Sequence, residues 1–295
     1  MRNLFPGPLV ALLAALALSS VAAAQTPDAR PAQAQRGATA NQGANAAQPN
    51  RDAAPAGPAP RRDLNGVWAV EGGYGLGAGN RGAVHPFPPM TPLGEERNKQ
   101  NRPEPLVNLA KANDPFGTCD PLGFPRNVLN QQVFNASMRF IELPDRMFIL
   151  YQFQRVWREI WKDGRALPPK VDVRGAPDSR LYGFSVGHWD GDYTFVIDTV
   201  GTDDRTWLDN DGHPHSSDMR VVERYTRLDQ NTMALTVTID DSKIYTKPFD
   251  WITNAKLHIK PQPDFAETFC IPSDSIAYKE SLVLPAGVGD PVPAR

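Results

Sequence analysis

The residues best suited to chemistry lie in one short segment, positions 206–216. It holds two of the five histidines of the chain, together with two aspartates, a tryptophan and two hydroxyl side chains. Imidazole and carboxylate groups exchange protons at moderate pH, so Asp209 and His215 are candidates for a general acid and base. We place Trp207 and His213, from the same segment, among the candidate ligand-binding residues.

Two other interpretations of this segment stay open. His213 and His215, with one nearby aspartate, would form the two-histidine, one-carboxylate set that holds some catalytic metals. Alternatively the segment is only a turn, in which Asp209 and Ser216 hydrogen-bond to their own backbone. Because no further histidine has a suitable spacing for a third ligand, we predict neither a bound metal nor another cofactor.

Alternation along two other segments predicts a buried ion pair. In residues 219–227 most of the alternate side chains are apolar, and Glu223 lies on the same face as the apolar ones. In residues 156–162 Arg158 likewise lies on the same face as apolar residues. Side chains two apart on a strand point to the same side. Because a buried carboxylate needs a partner, Arg158 and Glu223 are predicted to pair, and both join the candidate catalytic residues. The alternative is that the opposite faces are buried and both charges are solvated.

Aromatic residues recur on the same strands and either fill a core or line a cavity. A pocket with apolar walls and a few polar groups is the usual form of a small-molecule site. We therefore add three aromatic residues to the candidate ligand-binding set: Tyr151, Phe195 and Tyr225.

The elements that must position these side chains are strands. From residue 138 onward, runs of strand-forming residues alternate with short turns such as Pro144-Asp145 and Asp163-Gly164, a pattern typical of β-hairpins. We predict an all-β fold, an antiparallel meander of about 8–10 strands that closes into a barrel, since closure removes exposed edges. Two stacked sheets are the alternative architecture.

Local signals predict elements outside the meander. Positions 63–70 are predicted to be the first strand and 265–270 the last. Between the first strand and the meander, residues 72–135 contain many Gly and Pro. They are predicted to form a long irregular insertion with one short helix at 91–100. A second short helix is predicted near the C-terminus, at 273–282.

Two N-terminal segments are predicted to lie outside the folded domain. Residues 1–24 combine an early Arg, an apolar run and a small-residue cleavage pattern, as signal peptides do. That run is too short to span a bilayer, which needs about 20 residues, so we expect no transmembrane anchor. Residues 25–62, rich in Ala, Pro and Gln, are predicted to be a disordered spacer. The single barrel domain is then 63–295, in a periplasmic or secreted protein.

The charge of the chain bears on whether it binds nucleic acid, and its cysteine content bears on the compartment in which it folds. The formal net charge is −2 and the predicted domain has no long basic run, so we expect no nucleic-acid partner. There are two cysteines, Cys119 and Cys270. In an oxidising compartment two cysteines most simply form a disulfide. The alternative is two unpaired thiols.

Two stretches carry resemblances to known families. Gly66-Val67-Trp68 on the first predicted strand resembles the G-x-W signature of lipocalins, which implies a lipocalin- or calycin-like barrel. The chain also resembles a family of secreted or periplasmic bacterial proteins to which no activity is assigned. That family shares a W-L-D-x-x-G-x-P-H-S loop, which includes Asp209 and His215 and leaves His213 free. The further matching stretches are 119–126, 157–165, 183–189, 238–241 and 245–248.

Three functions are compatible with these observations. The first is an exported barrel that binds a small, largely apolar or aromatic molecule in its cavity. The second is an enzyme, a hydrolase, hydratase or isomerase, that uses acid and base groups at the barrel mouth. The third is a structural or interaction protein without a small-molecule site. No nucleophile elbow, phosphate-binding loop or dinucleotide fingerprint is present to favour a particular reaction.

Overall fold

The computed structural model describes residues 57–70, 87–103, 113–133, 136–261 and 264–283. The predicted signal peptide and most of the predicted spacer lie outside the described residues, as does much of the predicted insertion.

Nine strands form a closed barrel, which confirms the predicted fold class. Their order around the barrel follows their order in the chain, and the first strand pairs antiparallel with the last to complete the closure. The strands are β1 (Gly66–Val70), β2 (Ser137–Glu142), β3 (Arg146–Tyr151), β4 (Trp157–Trp161), β5 (Phe184–Asp190), β6 (Thr194–Val200), β7 (Arg220–Arg227), β8 (Thr232–Asp240) and β9 (Phe249–Ile259).

The two-residue period of the sequence accounts for the inner face of the barrel. On β7, alternate residues from Val221 to Arg227 are buried while those between them are at least partly exposed. β3 has the same alternation, with Met147, Ile149 and Tyr151 buried. One row of side chains therefore packs inside the barrel, as expected for strands with one buried face.

One neighbouring pair departs from the predicted meander, because β4 and β5 run parallel and pair at only two registers. The predicted hairpin at Asp163-Gly164 is therefore wrong. Gly164 does turn the chain, with a φ of 81°, but Pro168 and Pro169 follow and have no N–H to donate to a returning strand. Residues 162–183 instead form the crossover that parallel strands require, and we refer to them as the crossover.

The last strand also differs from its prediction. β9 begins at Phe249, well before the predicted last strand, and irregularities in its pairing with β8 disturb the alternation of its side chains. Asn254 has a φ of 51° there, as residues at β-bulges often do. The predicted strand at 265–270 is wrong, since only Thr268 forms a bridge, with Phe153.

The described part of the predicted insertion contains more helix than expected. α1 (Pro92–Gln100) begins as predicted, with the Thr91 hydroxyl accepting a hydrogen bond from the Gly94 N–H at the N-cap. A 3-10 turn at Pro115–Thr118 follows, and then α2 (Arg126–Val133), which sequence patterning did not predict. α2 and the residues before it pack against the barrel core.

A disulfide joins the insertion to the C-terminal segment. Cys119 and Cys270 are bonded, with their Cα atoms 5.3 Å apart, which confirms the predicted pairing. Cys270 lies two residues before α3 (Pro272–Tyr278), the predicted C-terminal helix. The Ser275 hydroxyl donates to the Gly117 carbonyl at 2.6 Å, so the 3-10 turn and α3 are connected twice.

Candidate functional site

An ion pair lies inside the barrel. Arg158 Nη2 is 2.8 Å from Glu223 Oε2, and the two residues are 2% and 0% exposed. β4 and β7 place them at inward positions, as the alternation of both strands predicts. The two charges lie in an environment of low dielectric, where each needs the other.

The guanidinium of Arg158 has further partners on neighbouring strands. It donates hydrogen bonds to Tyr151 Oη at 3.1 Å, to Ser185 Oγ at 3.1 Å and to Thr199 Oγ1 at 2.8 Å. The ring centroid of Phe124, in the segment before α2, lies 3.7 Å from its Cζ atom. These contacts fix the plane of the guanidinium and cover one of its faces.

Burial changes the pKa values of the side chains in this network. Desolvation lowers the pKa of Arg158, but the attraction of Glu223 outweighs it, so that pKa lies above its ordinary value. Burial raises the pKa of Tyr151 to about 12 and also raises the pKa of Tyr225, which donates a hydrogen bond to Glu223 Oε1 at 2.8 Å. At neutral pH two uncharged tyrosines therefore flank the ion pair, Tyr151 at Arg158 and Tyr225 at Glu223.

The second group of predicted residues lies in the β6–β7 loop, residues 201–219. Asp209 is fully buried and accepts hydrogen bonds from the backbone N–H groups of Asp211, at 2.9 Å, and His213, at 3.2 Å. Its other carboxylate oxygen lies 2.7 Å from His213 Nδ1. The His213 ring stacks on Phe87 with centroids 3.8 Å apart. Asp209 thus orders the turn of the loop and orients His213.

His215 is fully buried in the same loop. Its Nδ1 lies 3.1 Å from the Ser216 carbonyl oxygen and its Nε2 lies 2.9 Å from Thr206 Oγ1. A carbonyl oxygen can only accept, so Nδ1 carries the proton of the neutral ring. Burial lowers the pKa of His215, which is consistent with that neutral form.

The β6–β7 loop is anchored to the connection between β8 and β9. Asp241 accepts a hydrogen bond from the Ser216 backbone at 2.6 Å and another from its hydroxyl at 2.8 Å. Tyr245 Oη donates to the Pro214 carbonyl oxygen at 2.9 Å. All four residues are buried, so the loop packs as part of the folded structure.

The structure therefore places the predicted site residues in two groups. Inside the barrel, Tyr151, Arg158, Glu223 and Tyr225 share one hydrogen-bonded network, and Phe195 packs in the core. In the β6–β7 loop lie Trp207, Asp209, His213 and His215. The segment before α2 contacts both groups, since Gly123 packs against Thr206 and Phe124 covers Arg158.

His213 and His215 have different partners, Asp209 and Thr206 respectively. Within the described ranges, no three His, Cys, Asp or Glu side chains are arranged to hold a metal ion.

A pocket of about 710 Å³ opens where β4 and β5 separate, and we call it the seam pocket. Its walls are formed by residues of β4 and β5, including the inward-facing Arg158 and Ser185, and by residues of the crossover. Trp157, which is 60% exposed, and Trp161 contribute indole rings, and Phe184 contributes a third aromatic side chain. Of the predicted site residues, Arg158 is the one that also lines this pocket.

The aromatic wall of the seam pocket was not among the predicted ligand-binding residues. A signal was present, because Trp157 and Trp161 alternate on the face of β4 opposite Arg158. Two large indoles on an outer face form an apolar surface on which a ligand can pack. The crossover that completes the pocket depends on the parallel pairing of β4 and β5, which no local pattern reveals.

A second, more polar pocket of about 390 Å³ lies beside the β6–β7 loop. It is bordered by Trp207 and Pro214 of the loop and by Arg97 and Asn101 near α1. Trp207 is held there by the Arg126 guanidinium, 5.5 Å from its ring centroid. Arg97 is paired with Asp204 at 2.9 Å, so its charge is largely neutralised.

Comparison with family models, with curated proteins and with solved structures found no match to this chain. None of the helices in the described ranges has the length and hydropathy needed to cross a lipid bilayer. The inference of function therefore rests on the two groups of residues and the seam pocket.

Proposed function

We propose that this protein is an exported barrel that binds a small, largely apolar or aromatic molecule, and that the molecule occupies the seam pocket. The observation that carries the proposal is a pocket of about 710 Å³ with exposed indole on its wall. Sites for small molecules commonly enclose about 300–1,000 Å³ and combine apolar walls with a few polar groups.

The aromatic side chains of the seam pocket are prepared for such a ligand. Trp157 is held edge-on against Phe148, with ring centroids 5.6 Å apart. Trp161 is stacked between two guanidinium groups, those of Arg146 at 4.0 Å and Arg165 at 3.3 Å. Rings held in place lose little conformational entropy when a ligand packs on them.

Export is part of the proposal. The disulfide between Cys119 and Cys270 is typical of proteins from an oxidising compartment. Together with the signal-peptide pattern of residues 1–24, it supports a periplasmic or secreted location.

An enzymatic function has less support. Arg158 and Tyr225 engage the buried carboxylate of Glu223, and His215 is engaged by Thr206 and Ser216. These groups therefore hydrogen-bond or pair with other groups of the protein. A general acid or base must instead be within reach of a substrate atom. The β6–β7 loop, with Asp209 bonded to its own backbone, fits the structural alternative.

Isothermal titration calorimetry with 2-naphthoate and 2-naphthamide tests the proposal. We expect at least one of these bicyclic probes to bind with saturation and a 1:1 ratio. Trp157→Ala should weaken that binding about tenfold, or about 1.4 kcal/mol, because the exposed indole supplies stacking area. Tyr193→Ala, which removes another exposed aromatic ring that does not line the pocket, is the matched control. If neither probe binds, or both variants bind alike, the proposed site is wrong.

A further inference from the structure

Charged side chains line the seam pocket beside its aromatic wall, and most of them are neutralised locally. Arg158 is paired with the buried Glu223. Arg165 is paired with Asp163, whose Oδ2 lies 2.6 Å from its Nη2. The pairing of these two cations means that neither brings a full uncompensated charge to a ligand.

Among the described residues that line the pocket, Glu159 is the one acidic side chain, and it is also paired. Glu159 Oε1 lies 2.6 Å from Arg146 Nη1. Its charge is thus balanced by a guanidinium on the adjacent strand β3, so it opposes an incoming anion only weakly.

Arg180 is different. Among the described residues its guanidinium forms no ion pair and no hydrogen bond, and its Cζ lies 4.0 Å from the Phe184 ring centroid. The backbone at this position is fixed, because the Arg180 N–H donates to Gly201 O at 2.9 Å and its carbonyl accepts from the Asp203 N–H at 2.9 Å. The pocket therefore has one uncompensated positive charge, held against an aromatic ring.

We infer that the seam pocket selects an anionic aromatic molecule, an aromatic carboxylate, and that Arg180 binds its carboxylate. This inference rests on the proposed function and adds the chemical class of the ligand. The planar guanidinium donates two parallel hydrogen bonds to a carboxylate, and such charge-assisted bonds are about twice as strong as neutral ones. The exposed indole of Trp157 would contact the aromatic body, while Arg180 holds the charged end.

The test compares two probes of the same shape, 2-naphthoate and 2-naphthamide, by calorimetry at low and high salt. The wild-type protein should bind the carboxylate about tenfold more tightly than the amide. Arg180→Gln should reduce carboxylate binding to the level of the amide and leave amide binding within about twofold. The preference should also shrink at high salt, because the arginine is exposed and its charge is screened.

Arg174→Gln is the matched control, since Arg174 is an exposed arginine of the same crossover that does not line the pocket. It should keep the preference for the carboxylate. Equal affinity of the two probes, or an Arg180→Gln variant that retains the preference, overturns this inference and leaves the proposed function standing. Failure of both probes to bind the wild-type protein overturns the proposed function and the inference with it.

Discussion

At the residue scale, the interior of the barrel is organised by one ion pair. Arg158 and Glu223 come from strands far apart in the chain, and the side chains that hydrogen-bond to them are all buried: Tyr151, Ser185, Thr199 and Tyr225. A buried pair of this kind contributes little net stability compared with an apolar pair, yet the loss of one member is costly. The pair joins β4 and β7, which are not neighbours in the barrel ladder.

Glu223→Ala should lower the free energy of unfolding by about 3–5 kcal/mol, because it leaves Arg158 as an unpaired buried charge. The measurement is chemical denaturation followed by circular dichroism. Glu159→Ala removes a carboxylate from the outer face of the barrel that is also paired with arginine, and should cost less than about 1 kcal/mol. The double variant Glu223→Leu with Arg158→Met should be more stable than Glu223→Ala. Equal losses in the two single variants would contradict the role of the pair.

The second residue-scale prediction concerns pH. Because burial lowers the pKa of His215 below 6.5, the unfolded chain binds a proton at this residue more readily than the folded chain does. The stabilisation linked to His215 is therefore fully present above about pH 6.5 and is lost as pH falls from there towards the folded-state pKa. Denaturation midpoints at pH 8.0, 6.5 and 5.5 should decline, and His215→Gln should decline less steeply.

His188→Gln provides the control for the pH experiment, since His188 is an exposed histidine on β5. Its profile should parallel that of the wild-type protein. If His215→Gln and the wild-type protein lose stability in parallel below pH 6.5, the buried neutral histidine does not explain the acid sensitivity.

At the element scale, the β6–β7 loop behaves as a folded part of the barrel. The backbone N–H and the hydroxyl of Ser216 donate hydrogen bonds to Asp241, and the Pro214 carbonyl accepts one from Tyr245. Asp241 and Tyr245 lie in the connection between β8 and β9. Asp241 is itself buried, so its carboxylate needs the two hydrogen bonds that Ser216 donates. This explains how a loop rich in polar residues can be buried without leaving its groups unsatisfied.

Asp241→Ala should release the β6–β7 loop while the strands stay intact. We expect amide hydrogen exchange at 206–216 to accelerate at least tenfold, since two charge-assisted bonds are lost. Exchange in β7 and β8 should change much less. Asp240→Ala, which removes an exposed carboxylate beside it, should leave exchange in the loop unchanged. Loop exchange that is as slow in Asp241→Ala as in the wild-type protein would contradict the anchoring role.

The elements also show which parts of the fold a sequence determines locally. Alternation placed Arg158 and Glu223 inside, and the Thr91 cap located α1. The parallel pairing of β4 with β5 could not be predicted, because it depends on contacts between distant residues. α2 was missed because it is short and gains its stability from the burial of Val128 and Leu129 in the core.

The candidate site, like the fold, has one part that local sequence patterns predict and another that depends on contacts between distant residues. The ion pair follows from strand periodicity, so a sequence suffices to predict it. The seam pocket exists only once the crossover has returned to the barrel, which places Arg180 in the lining of the same pocket as Trp157. A crossover can vary in length, so its binding residues have no fixed sequence separation from the binding residues of β4.

At the scale of the whole molecule, the closure of the barrel and the disulfide each join segments that are far apart in the chain. The barrel closes through β1 and β9, where Trp68 pairs with Ile259. The disulfide between Cys119 and Cys270 spans a sequence separation of 151 residues. It lies outside the strands, so the barrel ladder is complete without it. Its contribution to stability therefore comes mainly from restricting the unfolded chain.

Replacing both cysteines, as Cys119→Ser with Cys270→Ser, should lower the free energy of unfolding by up to about 4–5 kcal/mol, the chain-entropy value for a loop of this length. The far-ultraviolet circular dichroism at 25 °C should stay that of a β-protein, because β1 and β9 still close the barrel. Wild-type protein treated with a reductant should unfold at the same denaturant midpoint as the double variant. Thiol titration of the denatured, unreduced wild-type protein should find no free thiol. A double variant as stable as the oxidised protein would mean that the disulfide does not constrain the unfolded chain, and that closure of the barrel alone determines stability.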